Sequence, residues 1–123
     1  MNTPTIRPDP SAARSNVTFM RLVEDVTPSV VTQGELATAV GADERTVQNW
    51  SSGRTRPRGE KVDRVLDFVH LVSELRAVYT DEGIQIWLRS RNRNLQHRRP
   101  IELLAEGGVD EVLAEVHRVI GGM

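Results

Sequence analysis

The sequence predicts an all-α protein, in which a long helix joins an N-terminal pair of short helices to a small C-terminal helical module. Apolar residues recur three and four positions apart along several segments, as they do on one face of a helix. Capping residues precede these segments and glycines follow them, which marks helix ends. Strand-like patterns are minimal, with the β-branched residues at 29–31 as the main exception.

Length and charge limit the class of protein further. With 123 residues, the chain is long enough for one domain, or for two small helical modules that share a core. Its net charge of -1 conceals a separation, because arginines gather at 45–58 and 89–99 whereas acids dominate 102–115. A near-neutral total therefore leaves room for a basic DNA-binding surface.

The absence of cysteine excludes disulfides, thiolate metal sites and a cysteine nucleophile. No apolar run approaches the roughly 20 residues that a membrane-spanning helix needs, and the start lacks the apolar block of a signal peptide. We expect a soluble, cytoplasmic chain with no cofactor and no membrane partner.

The first segment is predicted to be a flexible tail followed by a short helix. Residues 1–14 contain three prolines among small and polar residues, a composition that buries too little surface to offset its ordering entropy. At 15–26 the apolar residues follow a helical spacing, and Thr27-Pro28 ends the helix.

Two short helices are predicted within "TQGELATAVGADERTVQNWSSG". Thr32 and Glu35 have the spacing of a reciprocal capping box, and the helix that they start ends at Gly41. Asp43 caps a second helix at 44–51. Two helices of this length joined by a glycine-containing turn are typical of a helix-turn-helix.

The residue types inside this segment match what a helix-turn-helix requires. Gly41 permits the positive φ of the tight turn, and Ala37 is small where the second helix crosses the first. Apolar residues occupy the positions that face the core, namely Leu36, Val40, Val47 and Trp50. The segment resembles a helix-turn-helix of the phage-repressor-like (Xre) group.

The outward side chains of the second helix are the predicted base-reading residues. Arginine pairs with guanine, amides pair with adenine, and a carboxylate accepts from cytosine. The candidates are Glu44, Arg45, Thr46, Gln48 and Asn49. Phosphate contacts are expected from Gln33, Arg54, Arg56 and Arg58. The alternative is a motif that only packs, but a purely structural motif has no use for so many exposed amides and arginines.

A long helix is predicted at 60–79, completing an N-terminal region at 15–79 and leaving a C-terminal module at 80–123. Its apolar residues are Val62, Val65, Leu66, Val69 and Val72, with Phe68, Leu71, Leu75 and Val78 widening the arc. So wide an arc needs cover on two sides, either from the rest of the chain or from a second copy. Because one helix-turn-helix offers only a small interface to DNA, we expect a homodimer, with this helix at the dimer interface.

The C-terminal module is predicted to contain three further short elements. Thr80 or Asp81 begins a helix, and an arginine-rich loop follows it. Pro100 suits the first position of the next helix, which Gly107 ends. A last amphipathic helix begins near Gly108 and frays at its glycine-rich end.

Within this module "NRNLQHRRPIELL", residues 92–104, resembles the toxin-binding C-terminal domain of Xre/MbcA/ParS-type antitoxins. Together with the helix-turn-helix ahead of it, the resemblance covers about residues 17–123. It implies an antitoxin that neutralises an NAD-degrading RES-domain toxin by covering the cleft where NAD binds. It also implies that the antitoxin represses its own operon and is not an enzyme.

Two groups of residues are the predicted toxin contacts. Acids and a thin, carboxylate-ended tail suit a cleft that binds pyrophosphate, whereas arginines suit an acidic outer surface. The acidic and terminal candidates are Glu111, Glu115, Gly121, Gly122 and Met123; those of the loop are Arg89, Asn92, Asn94, Arg98 and Arg99. Alternatively, the asparagines only turn the loop, and the arginines are a solvated run.

Two other functions are compatible with parts of the sequence. Catalysis is disfavoured because the three histidines lie far apart in sequence without metal-ligand spacing, and no glycine-rich phosphate loop is present. A stand-alone transcription regulator, with the C-terminal module used for dimerisation or an effector, remains open. A co-directional neighbouring toxin gene would favour the antitoxin.

Overall fold

The computed structural model describes residues 10–122, with their side chains from residue 16 onward, and within this range the fold is all-α as predicted. The helices are α1 (Pro10–Val26), α2 (Gln33–Val40), α3 (Glu44–Ser51), α4 (Glu60–Leu75), α5 (Asp81–Arg89), α6 (Pro100–Ala105) and α7 (Val109–Gly121). A 3-10 turn at Arg93–Leu95 lies between α5 and α6. The strand-like pairing in this part of the chain is one isolated bridge between Asn92 and Arg98.

Helix α1 begins earlier than the sequence indicated. It starts at Pro10, so residues 10–14 are helical and the predicted tail boundary at 14 is wrong. Proline is tolerated here because the first helical turn has no intrahelical partner for its N–H groups. The rest of the predicted tail, residues 1–9, lies outside the described residues.

The caps of α2 and α3 confirm the predicted pair of helices. The Thr32 hydroxyl accepts from the Glu35 amide at 3.0 Å, and the Glu35 carboxylate accepts from the Thr32 amide at 2.9 Å. Gly41 adopts φ 75°, the left-handed conformation that ends α2. Asp43 caps α3 by accepting from the Thr46 amide at 2.8 Å, and this hydrogen bond holds the pKa of Asp43 below its usual value.

Helix α4 is shorter than predicted, and the set of residues that it buries differs from the predicted set. It ends at Leu75 instead of residue 79, and a turn follows before Thr80 caps α5. Its buried residues are Val65, Phe68, Leu71, Val72 and Leu75. Leu66 is 43% exposed, because it lies one position after Val65 and therefore about a quarter-turn around the helix. The predicted stripe through Leu66 is wrong.

The chain itself covers the wide apolar arc of α4. Helices α1 and α2 contact α4, α7 packs against it as well, and α2 also contacts α6. One continuous core runs from Val23 to Val116 and includes residues of both predicted regions. Of the two alternatives, the structure thus shows that other helices of the same chain cover the apolar face of α4. The width of this face is therefore no longer evidence for a dimer. No helix within residues 10–122 combines the length and the apolar character needed to cross a membrane.

Candidate functional site

Helix α3 presents one polar face to solvent and buries the other. Val47 and Trp50 are buried against the core. The side chains of Glu44, Arg45 and Gln48 are exposed, whereas Thr46 and Asn49 are half-buried. The five predicted base-reading residues therefore divide into three that are open to solvent and two that are less accessible.

Two of the predicted DNA contacts have partners within the chain. The Gln33 amide donates to the Ser51 hydroxyl at 3.3 Å, which ties the start of α2 to the end of α3. Glu44 lies over the start of α2, since a Cβ placed on Gly34 would be 3.6 Å from its Oε2. A carboxylate is stabilised at a helix N-terminus by the helix dipole. Glu44 is therefore partly compensated within the chain.

Three arginines follow α3, as predicted for phosphate contacts. Arg54 and Arg58 are exposed, and Arg56 is half-buried. Gly53 adopts φ 76°, and the Arg54 amide donates to the Asn49 carbonyl at 3.0 Å. The start of this segment is thus fixed against the end of α3 by its backbone.

The loop between α5 and α6, residues 90–99, is held by a dense set of backbone hydrogen bonds. The Asn92 side chain accepts from the Asn94 amide at 2.9 Å, and the Asn92 carbonyl accepts from the His97 amide at 2.9 Å. Gln96 and His97 have φ values of 59° and 62°, a left-handed conformation that non-glycine residues rarely adopt. Such a conformation persists only where the surroundings fix it, so the loop is rigid.

Arg89, the last residue of α5, and two arginines of the loop meet acids of the same chain. Arg89 donates to both carboxylate oxygens of Glu35, at 2.5 and 2.8 Å, and lowers the pKa of that carboxyl. Arg99 pairs with Glu102 at 2.8 Å, and it also donates to the Arg89 carbonyl at 3.0 Å.

Arg98 pairs with Glu106 across the start and end of α6. The three predicted arginine contacts thus also have roles within the fold. Arg91 and Arg93, which belong to the same run of arginines, are exposed on this loop.

The predicted acidic contacts differ in their exposure. Glu111 is exposed on α7, but the side chain of Glu115 is only 2% exposed. One Glu115 oxygen accepts from Asn94 at 3.3 Å and from Arg118 at 2.5 Å. Glu115, a predicted toxin contact, is thus buried within the chain, because α7 packs against the 3-10 turn. Asn94, another predicted toxin contact, donates the hydrogen bond that links the loop to Glu115.

The end of the chain is more ordered than predicted. Gly121 is the last residue of α7, and the Gly122 amide donates to the Arg118 carbonyl at 2.9 Å. The predicted fraying is therefore wrong at Gly121. Met123 lies outside the described residues. Both glycines are exposed, so the helix end is accessible to another molecule.

An open groove lies between α2 and α6, beside the arginine loop. Its lining includes two half-buried apolar residues, Ile101 and Ala105, and charged residues of both signs. The charged residues are Glu35, Arg98, Glu102 and Glu106. Apolar surface bordered by charged residues is an arrangement that a protein partner can cover.

Sequence reasoning missed the interactions that join distant segments. Arg64 donates to the carbonyls of Ala39 at 2.9 Å and Leu104 at 2.7 Å, at the ends of α2 and α6. Arg76 bridges Asp25 and Asp81, and it lowers the pKa of Asp81. No local signal identifies such pairs in one sequence, although an arginine on an otherwise inward-facing side of a helix is a hint.

These features define a small all-α protein, and comparison with known proteins shows that it is an antitoxin. The profile of the antitoxin Xre/MbcA/ParS C-terminal toxin-binding domain matches residues 74–122. The chain belongs to the Xre/MbcA/ParS antitoxin family, which confirms the resemblance drawn from the sequence. This is a family of antitoxins and not of enzymes, as the sequence indicated.

Individual relatives cover most of the chain. A probable mycobacterial cidal antitoxin, Rv3188 of Mycobacterium tuberculosis, is 33% identical over 101 residues, which are 82% of this chain and 86% of the relative. The mycobacterial cidal antitoxin MbcA of Mycobacterium bovis is 28% identical over 93 residues, or 76% of this chain and 82% of the relative.

A solved structure also matches. A chain in the crystal structure of the M. tuberculosis MbcT-MbcA toxin-antitoxin complex superposes with a TM-score of 0.72 and 26% identity, over 85% of this chain and 95% of that one.

Proposed function

We propose that this antitoxin binds and neutralises a cognate RES-domain toxin that degrades NAD, and that it represses its own operon through α2 and α3. The observation that carries the proposal is the fold shared, over 85% of the chain, with a protein solved in a toxin-antitoxin complex. The match of residues 74–122 to the family's toxin-binding domain supports it independently.

The toxin is proposed to contact the face formed by the arginine loop, α6 and the end of α7. Here the groove beside Arg98 supplies apolar area, while Arg99, Asn92 and the exposed Arg91 supply donors. The rigid backbone of the loop supports this role, because a preordered loop loses little entropy on binding. Glu115 and Asn94 contribute indirectly, since their hydrogen bond fixes the loop against α7.

Inhibition is proposed to come from the acidic end of the chain. A cleft that binds the pyrophosphate of NAD needs positive charge, which attracts carboxylates. Glu111 on α7 carries the right sign, and Gly121 and Gly122 are exposed at the end of this helix, where no side chain widens it. We propose that this end occupies the mouth of the cleft and so excludes NAD.

Operator binding is proposed for the polar face of α3. Arg45 and Gln48 project into solvent on one side of this helix, where a major groove could receive them. Arg54 and Arg58 lie directly after it and supply phosphate contacts. A two-fold dimer doubles the footprint of this small unit, so dimerisation on the operator is part of the proposal.

Co-purification with the product of the neighbouring gene tests the toxin half of the proposal. We expect a stable complex, which the double variant Arg98→Glu/Arg99→Glu weakens while its circular dichroism spectrum and its operator binding are retained. The matched control is Arg21→Glu, which reverses an exposed arginine on α1 and should leave the complex intact. Failure of any complex to form, or equal loss of toxin and DNA binding in the double variant, would contradict the proposed division of labour.

A further inference from the structure

Two of the three histidines, far apart in the sequence, meet on the outer face of the α4–α7 contact. His70 and Glu74 lie one helical turn apart on α4, and His117 lies on the neighbouring helix α7. One ligand atom from each of these three side chains lies within 4.8 Å of the others. The three side chains are thus close enough in the fold to bind one metal ion, although their spacing in the sequence does not indicate a metal site. The reason is that the fold brings His117 next to the pair on α4.

The distances are close to what a metal ion requires. Nitrogen and oxygen ligands at about 2.0–2.1 Å from a tetrahedral zinc ion are themselves separated by about 3.3 Å. His70 Nε2 and Glu74 Oε1 are already 3.4 Å apart. The side chains of these two residues are 57% and 36% exposed, so they are free to rotate towards His117.

The types of ligand select the kind of ion. Two imidazoles and one carboxylate suit zinc and other late first-row divalent ions, whereas magnesium and calcium prefer oxygen ligands alone. Three protein ligands leave a fourth tetrahedral position for water. The i, i+4 pair on α4 is geometrically preset, since residues at this spacing lie on one face of a helix.

We propose that His70, Glu74 and His117 form a site for a divalent transition-metal ion, with zinc as the probe, that cross-links α4 to α7. The bound ion would hold the last helix of the chain against the long central helix and raise the stability of this junction. The inference rests on the contact between α4 and α7 and does not depend on either proposed function.

Zinc titration of the purified, untagged full chain tests the site directly. We expect one zinc ion per monomer by calorimetry, and a melting temperature that rises with zinc concentration but does not respond to magnesium. His70→Asn and His117→Asn should each weaken zinc binding by at least about tenfold, since even the loss of an outer-shell partner costs that much at a metal site. Glu74→Gln should do the same, because it keeps the shape of the side chain and removes the charge.

The third histidine provides the matched control. His97→Asn replaces the remaining histidine, in the arginine loop, with a residue that tolerates its φ of 62°. This variant should bind zinc as the unmodified chain does, and all four variants should melt alike without zinc. Three results would overturn the proposal: no zinc binding at micromolar concentration, an equal loss in His97→Asn, or one ion per two chains accompanied by dimerisation.

Discussion

Arg89 donates hydrogen bonds to both carboxylate oxygens of Glu35, a residue 54 positions earlier in the sequence. Glu35 simultaneously accepts from the Thr32 amide and completes the cap of α2. The end of α5 and the start of α2 are thus joined through one carboxylate. Because Arg99 in turn donates to the Arg89 carbonyl, the arginine loop is tied to the proposed DNA-binding helices.

This ion pair should make stability depend on acid. Since Arg89 lowers the pKa of Glu35, the stabilisation by the pair is complete above the unfolded value of 4.5 and is lost as the pH falls through the folded pKa. We expect Arg89→Ala to reduce the free energy of unfolding by about 1 kcal/mol or less at pH 7, because solvent screens a pair at this exposure.

Urea denaturation between pH 7 and pH 3.5 measures that effect. The difference between Arg89→Ala and the unmodified chain should shrink as the pH falls below 4.5. In the background Glu35→Gln, which has no charge to lose, Arg89→Ala should have a smaller and pH-independent effect. A difference that stays constant with pH in the unmodified background would contradict this account of the pair.

We expect Gly41 to tolerate substitution by alanine less well than Gly107, a glycine with a similar positive φ. Gly41 and Gly107 have φ values of 75° and 85°, so alanine costs about 1 kcal/mol of backbone strain at either position. At Gly41 a Cβ would also lie 2.5 Å from Nη1 of Arg64, which bridges α2 and α6.

Chemical denaturation should therefore show a greater loss of stability for Gly41→Ala than for Gly107→Ala. A Cβ added to Gly107 with ideal geometry would have no atom of the described residues within 4 Å. Equal losses would mean that Arg64 moves aside without cost.

Removal of Glu115 should loosen the arginine loop. Its buried carboxylate holds Asn94 and Arg118, and deletion leaves those donors without this partner. Because both donors are exposed to solvent, we expect Glu115→Ala to cost about 0.5–1.5 kcal/mol of stability and to speed amide hydrogen exchange at Leu95. Glu111→Ala, on the exposed side of the same helix, should change stability by less than about 0.5 kcal/mol. Unchanged exchange in Glu115→Ala would show that the loop does not need this anchor.

The two kinds of proposed DNA contact should respond differently to salt and sequence. Gln48→Ala should cost about 1–3 kcal/mol on the operator and relax the preference at one base pair. Arg58→Ala should weaken binding to all sequences. It should also reduce the slope of log K against log salt concentration by about one, the value expected for one lost phosphate contact. Fluorescence anisotropy across a salt series separates these effects, and a Gln48 variant that weakens all sequences equally would argue against base reading.

The helices and their caps were predictable because their determinants are local. Thr32, Glu35, Asp43 and Gly41 lie within a few residues of the backbone groups that they satisfy, so their spacing alone identifies the ends of α2 and α3. The most informative part of the family resemblance is likewise one continuous stretch, residues 92–104, and the order of this stretch after the helix-turn-helix adds to it.

The contacts between segments were not predictable in the same way. Whether Glu115 faces solvent or Asn94 depends on how α7 packs, and periodicity alone placed Leu66 in the core. The roles of Arg64 and Arg89 depend on partners 25 to 54 positions away. Only the assembled fold brings these side chains together, as it does for His70 and His117.

The most direct test of the antitoxin assignment is NAD consumption by the purified product of the neighbouring gene, titrated with this chain. We predict that NAD loss falls to background at a fixed molar ratio, that the Arg98→Glu/Arg99→Glu variant requires more protein, and that Arg21→Glu does not. NAD loss that continues at saturating antitoxin, or a neighbouring product that consumes no NAD, would contradict the proposed mechanism.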